Sequence, residues 1–466
     1  MELFVYMGKM LGQGGRIGIE LIDNKLPTVS LVMWLPYQLI GAWWPGYALL
    51  SVVLACVGVW AIAKAAAEVH RSSLLPTAVM AAAWMSFPLV VFSAFKLEHL
   101  TVPLCAVAAW LFVRLCKYRL TRDAFLIGLV AGIAAMAKPN ALAVLAAAGL
   151  VVVSWRELTA KTRFRFAAAM AVGVLIPAMI VLGYLVFSGA ITALPAVYQQ
   201  VRTYNQNSVW HWQLVGFKAL AILFLLGLPF VMRSLGERRW AEPRESNLHT
   251  PVLWFALIWF AVEVIGVAMQ GRMYGYHFLP ITAPAALLFG LVPRRVKAFP
   301  LVVNAVPVLI IAVFWAYFAM LSTKTPADRL AAIDYIKSNT AAGDSVWIDE
   351  NARILVETDL KPGSRIPLTF IFSNDDTSPT KYGGMLCDDL HNRRPKFVVL
   401  PTDTPGWAET GARAERRILR PPRARHGVAG GVARHPVDRS GRLRNREGLR
   451  WQHGVRTPRH GHENRR

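Results

Sequence analysis

The feature that most limits what this chain can fold into is a recurrence. Apolar runs of roughly 16 to 23 residues follow one another, each bounded by a short cluster of Arg and Lys, by Pro or by Gly, and that length crosses a hydrocarbon core of about 30 Å at 1.5 Å per helical residue. Soluble proteins bury an occasional helix of this kind but do not repeat it along most of the chain. The composition agrees: 55% hydrophobic and 17% charged residues with a mean hydropathy of +0.39 are too apolar for a water-soluble protein of 466 residues. The expected fold class is an α-helical polytopic membrane protein of about ten spans with a small α/β soluble C-terminal domain.

Hydropathy and charge place the spans near 46–66, 73–92, 98–115, 123–137, 141–155, 166–188, 214–232, 250–269, 277–293 and 299–321. Alternate loops carry the cations: Arg71, then Lys117, Arg119 and Arg122, then Arg156, Lys161, Arg163 and Arg165, then Arg233, Arg238, Arg239 and Arg244, then Arg294, Arg295 and Lys297. The positive-inside rule puts those loops in the cytoplasm, so both ends of the membrane region face outward. The stretch Leu26 to Trp44 would break the alternation if it crossed, and Pro27, Pro36 and Pro45 interrupt it. It reads as a juxtamembrane helix lying in the outer interface, with Trp34, Tyr37, Trp43 and Trp44 at headgroup depth.

Four regions follow: 1–45, an outer-face loop and juxtamembrane helix; 46–322, the transmembrane helices; 323–404, a small extracytoplasmic α/β domain; and 405–466, a disordered Arg-rich tail. Within the third region, Pro326 to Lys337 has helical periodicity, and Ser345 to Ile348 and Lys396 to Leu400 read as buried strands. From Gly406 onward there are sixteen Arg, no Lys and five acids, so +11 of the formal charge of +23 sits in the tail. Two readings stay open for it: a disordered basic segment that binds anionic lipid, or a shifted reading frame in a GC-rich gene. The rest of the charge lies mostly in loops, and nucleic acid is not expected as a partner. The four cysteines, Cys56, Cys105, Cys116 and Cys387, have neither disulfide-framework nor zinc spacing. No cleavable signal is visible in the amphipathic Met1 to Gly15.

Polar groups at the outer boundary of the spans carry the functional information, because a charge there is costly unless a partner or a task compensates it. They form five groups: Asp23 to Pro27 with Asp23 and Lys25; Lys96, Glu98 and His99; Lys138 to Asn140; the loop from Tyr198 to Trp212 with Arg202, Tyr204 and His211; and Arg272 to Pro280 with Tyr274, Tyr276 and His277. All five fall on one side. Cations there suit a lipid-linked phosphate, and Glu2, Asp23 or Glu98 suits a general base or a metal ligand. Each also has a plainer reading: lysines and arginines snorkel, the histidines are satisfied interfacial residues, and the tyrosines belong to an aromatic belt. Glu263, inside the span 250–269, requires a partner or a cavity.

In this order the motifs resemble the GT-C membrane glycosyltransferases of the protein mannosyltransferase and aminoarabinose transferase type, glycosyltransferase family 39 and its relatives. The resemblance rests on Gly8-Lys-Met-Leu-Gly-Gln-Gly-Gly leading to Asp23-Asn-Lys-Leu-Pro, on Glu98 after two further helices, on Ala137-Lys-Pro-Asn and on Tyr276-His-Phe-Leu-Pro. It implies a GT-C-like fold and inverting transfer of a sugar from a polyprenyl-phosphate carrier to a glycan, lipid or protein acceptor. The setting would be the extracytoplasmic face of a bacterial-type inner (plasma) membrane, with membrane lipids as further partners. It casts Glu2, Asp23 and Glu98 as catalytic candidates. Lys25 matches the family's loop lysine, and Lys96, His99, Lys138, Tyr204, Arg272, Tyr274 and His277 are substrate-binding candidates. The resemblance fixes no cofactor, and a divalent cation is compatible with the carboxylates. The family opens with a helix ending in an Asp-Glu pair, whereas here Glu2 stands at the second acid and Met1 at the first. The expectation is therefore an upstream reading frame that adds a first helix and the catalytic Asp. A secondary transporter or lipid flippase is the competing function, and a non-catalytic membrane scaffold the third.

Overall fold

The structure is a computed structural model, and it describes residues 2–22, 28–86, 96–195, 198, 248–269, 275–291, 327–348, 352–366, 378–399 and 432–434. The first two helices are short. α1 (Glu2–Gly12) has no solvent face along most of its length: Leu3 to Met10, Lys9 among them, are buried all round it, the mark of a helix enclosed by other elements. α2 (Val29–Ile40) ends where Gly41 adopts φ +62° and donates its N–H to the Tyr37 carbonyl at 2.7 Å. With 12 residues it spans about 18 Å, less than a bilayer core, and Trp34 and Leu39 are exposed along it. Gly8 lets α1 rest on α2, since a Cβ there would collide with the Met33 carbonyl.

The bundle comprises α3 (Trp44–Val69), α4 (Leu74–Met85), α5 (Glu98–Tyr118), α6 (Thr121–Ala137), α7 (Leu142–Ser154), α8 (Ala160–Phe187), α9 (His249–Met269) and α10 (Leu279–Leu291). Local chemistry sets their limits. Pro45 opens α3 at a position where no helical N–H is needed, Arg119 in the left-handed region closes α5, and the Thr159 hydroxyl caps α8 by accepting from Thr162 N–H at 3.2 Å. Among the described residues four helices, α3, α5, α8 and α9, are long and apolar enough to cross a membrane, while α4, α7 and α10 are shorter. The expected spans 214–232 and 299–321 lie outside the described residues.

α5 sits between α3 and α6, α6 packs on α8, and α9 and α10 close the group against α7, α3 and α4. Small residues make this possible: Ala61, Ala65, Ala106, Ala109, Ala131, Ala147 and Ala286 are fully enclosed. Leu175, Ile176, Met179, Ile180 and Val186 are exposed along α8, an apolar surface suited to lipid. At one end of the bundle, Ser73 donates to the Gly290 carbonyl at 2.6 Å and Lys117 pairs with Glu68 at 2.6 Å. At the other lie the start of α5 and the end of α6, where Thr28 donates to the Met136 carbonyl at 2.7 Å.

The remaining elements are α11 (Ala327–Asn339), β1 (Ser345–Ile348), α12 (Arg353–Glu357), β2 (Lys361–Pro362), α13 (Ser378–Arg393), β3 (Phe397–Val399) and β4 (Val432–Arg434). The sheet order is β2-β1-β3-β4, with β1 parallel to β2 and β3 in the register Val346↔Phe397. A parallel pair needs a crossover, which α13 supplies. Three residues of the Arg-rich stretch form β4, antiparallel to β3 with Val398 opposite Ala433; the rest of 405–466 lies outside the described residues.

A second hydrophobic core ties this domain to the membrane part. Phe4, Met7, Ile17, Met33, Tyr47, Leu97 and Ala137 share it with Ile336, Val346, Ile354, Leu355 and Phe397. α1 is thus an internal helix of the soluble domain and at the same time its seat on the bundle.

Candidate functional site

The site begins with Lys138 and the proline after it. Pro139 disfavours helical backbone at the preceding residue, and Lys138 is extended at φ −151°, ψ 115°, which ends α6. Its ammonium forms an ion pair with Glu98, the first residue of α5. An acid in that first turn also meets the positive end of the helix dipole. The carboxylate is enclosed, with its side chain 3% exposed, whereas the lysine side chain is 19% exposed. The acid lies inside and the cation reaches outward.

Around the pair, the backbone N–H of Lys96 donates to His99 Nδ1 at 2.7 Å, which makes that ring nitrogen the acceptor. The Lys96 ammonium lies 5.2 Å from the Tyr276 ring centroid, and Tyr276 meets His277 edge to face with centroids 4.5 Å apart. His277 is buried immediately before α10. Directly inward, Thr101, Cys105, Asn140, Glu263 and Pro280 line a cavity of about 10 Å³, the space of one water. Glu263 is 2% exposed and accepts from Trp259 Nε1 at 3.1 Å. The partner and the cavity that an intramembrane carboxylate demands are therefore both present.

The structure brings Lys96, Glu98, His99, Lys138 and His277 to one end of the bundle. Glu2 stands at the first turn of α1, half-buried, away from the start of α5 in sequence and on a separate helix. Asp23, Lys25, Tyr204, Arg272 and Tyr274 lie outside the described residues. Both flanks of the Asp23–Lys25 segment are anchored: Ile22 N–H donates to the Arg365 carbonyl at 2.6 Å, and Thr28 holds Met136, two residues before Lys138. Among the described residues no group of three or more His, Cys, Asp or Glu is arranged to hold a metal ion.

Sequence reasoning missed the residues that seat the soluble domain beside this site. Lys9, 6% exposed, donates to the carbonyls of Leu355 at 2.9 Å, Val356 at 3.3 Å and Thr358, and lies 3.8 Å from the Asp359 carboxylate. Burial pulls its pKa down and Asp359 pulls it back up, with burial the stronger. A cation over the final carbonyls of α12 satisfies acceptors that the helix leaves open. Glu357 accepts from Trp44 Nε1 at 2.7 Å and from Lys337 and Arg353. Burial alone would raise its pKa, but the three donors prevail and bring it from 4.5 to about 2. Trp44 opens α3, and its neighbour Tyr47 shares a core with Leu97 and Ala137, so the domain is fastened to the same bundle end as Glu98 and Lys138. The signal available in the sequence was a lysine set inside an 11-residue helix whose only other charge is Glu2 in its first turn. Compared with known proteins, the chain matches no family model and no curated protein sequence.

Proposed function

We propose that this chain is a membrane glycosyltransferase of GT-C type that moves a sugar from a polyprenyl-phosphate carrier to an acceptor at the outer face of a bacterial-type inner membrane. The observation that carries the reading is the Glu98–Lys138 pair: a sequestered carboxylate beside a cation that reaches the surface, at the bundle end where the soluble domain sits. A phosphate needs the cation, and an acceptor hydroxyl needs a base within reach. Lys96 and His99 on the same turn extend the polar surface. Lys25 belongs to the proposed donor site on the resemblance of its motif, Tyr204, Arg272 and Tyr274 because the charge pattern sets them on the same side of the membrane, and Asp23 and Glu2 stand as further acids.

The test is sugar release from a polyprenyl-phosphate donor by membranes containing the chain, with and without the upstream reading frame. Release that Lys138→Ala abolishes supports the reading, and its absence from folded protein in both forms overturns it. A secondary transporter or lipid flippase is the second reading, favoured by Glu263 and its cavity within the helices; it predicts substrate movement across vesicles without release of sugar.

A further inference from the structure

The Glu98–Lys138 pair has an asymmetry that an ion pair of purely structural purpose does not need. The Glu98 side chain is 3% exposed and the Lys138 side chain 19%, so an anion arriving from outside meets the lysine before the acid. Glu98 pairs with no other cation among the described residues, and a buried carboxylate that loses its counter-ion is costly to the structure. Lys138 is in a different position. It lies within electrostatic reach of Glu263 as well as Glu98, so a phosphate that takes over its donors leaves it embedded among negative charges. The ion pair also spans two helices: Glu98 is fixed in the first turn of α5, whereas Lys138 sits in the extended junction after α6 on a side chain with four rotatable bonds.

We infer that the Glu98–Lys138 ion pair is a charge-exchange gate, in which the phosphate of an incoming polyprenyl-phosphate donor displaces Glu98 from Lys138 and so uncovers the carboxylate as a base only when donor is bound. This inference deepens the glycosyltransferase reading and rests on it. With Lys138 turned to the phosphate, the Glu98 carboxylate is released from its ion-pair partner and an acceptor hydroxyl can take the place of the ammonium beside it. In the transfer, the acceptor oxygen forms a bond to the sugar C1. The bond from C1 to the phosphate oxygen breaks with its electron pair going to the carrier phosphate, and the acceptor proton goes to Glu98. Before donor binds, the same carboxylate is occupied by the Lys138 ammonium, which keeps an acceptor hydroxyl from reaching it.

The gate makes an unusual demand: removing the acid must improve phosphate binding. The experiment measures binding of geranyl phosphate, with inorganic phosphate in parallel, to the full chain in detergent by calorimetry. Glu98→Gln is expected to bind geranyl phosphate about tenfold more tightly than the wild type while losing sugar transfer, and Lys138→Gln to lose binding. Equal or weaker binding by Glu98→Gln overturns the gate and leaves the glycosyltransferase reading standing, whereas no binding of geranyl phosphate by the wild type overturns both. Tightening seen with inorganic phosphate to the same degree assigns the gate to the phosphate group; tightening confined to geranyl phosphate assigns it to the lipid-linked form. Should Glu98→Gln fail to fold because Lys138 is left uncompensated, Glu98→Asp, which withdraws the carboxylate by one methylene, is expected to tighten binding severalfold, and unchanged affinity in that variant overturns the gate.

Discussion

Glu357 holds three donors from three elements, Lys337 of α11, Arg353 of α12 and Trp44 of α3, and through them the soluble domain is fixed to the bundle. Its carboxyl is depressed from 4.5 to about 2. A depressed carboxyl stabilises the folded chain in full above the unfolded value and loses that contribution as pH falls through the folded one. The wild type should therefore lose thermal stability between about pH 4.5 and pH 2 beyond what general acid titration causes, and Glu357→Gln should flatten that part of the profile. Lys9→Met leaves the carbonyls of Leu355, Val356 and Thr358 without their donor and should cost roughly 1–3 kcal/mol, read as earlier proteolysis of the 327–399 region. Glu98 and Lys138 were visible in the sequence because each is a charge beside a long apolar run. That they face each other was not, since the pairing joins residues 40 apart through the packing of α5 on α6. Lys9 was harder still, because its acceptors lie 346 and more residues away.

Helix positions follow from hydropathy because each span must satisfy its own backbone hydrogen bonds and shed its own polar groups; α3, α5, α8 and α9 fall where the apolar runs predict them. How helices meet depends instead on small residues, whose spacing is common in any alanine-rich membrane protein. α6 and α8 approach so closely at Gly128 that a Cβ there would run into the Met170 carbonyl. Gly128→Leu should therefore force the two helices apart and destabilise the chain by roughly 1–3 kcal/mol, measured as a lower melting temperature in detergent. Gly149, on α7, has open space around its missing Cβ, and Gly149→Ala should be neutral or slightly stabilising because alanine favours helix. The two variants differ in where the glycine sits, not in the helix propensity they change.

For the whole molecule, the proposed orientation places the soluble domain outside the cell. Cys387 in α13 is partly exposed, whereas Cys105 and Cys116 are buried in α5. A membrane-impermeant maleimide applied to intact cells should label Cys387 and spare the two α5 thiols; labelling of Cys387 only after the membrane is opened reverses the orientation. The shared core of α1, the soluble domain and the bundle end has a consequence for how the chain is made. α1 leaves the ribosome before the bundle helices, yet its partners Ile354, Leu355 and Phe397 emerge only after them. Through most of synthesis this helix, too short to cross the membrane, has only α2 and the bundle end to cover it. α1 is thus among the last elements to find its place, and contacts of such long sequence separation close slowly. The interval between the emergence of α1 and that of these partners is the time in which α1 is exposed to misassociation or to a chaperone's hold.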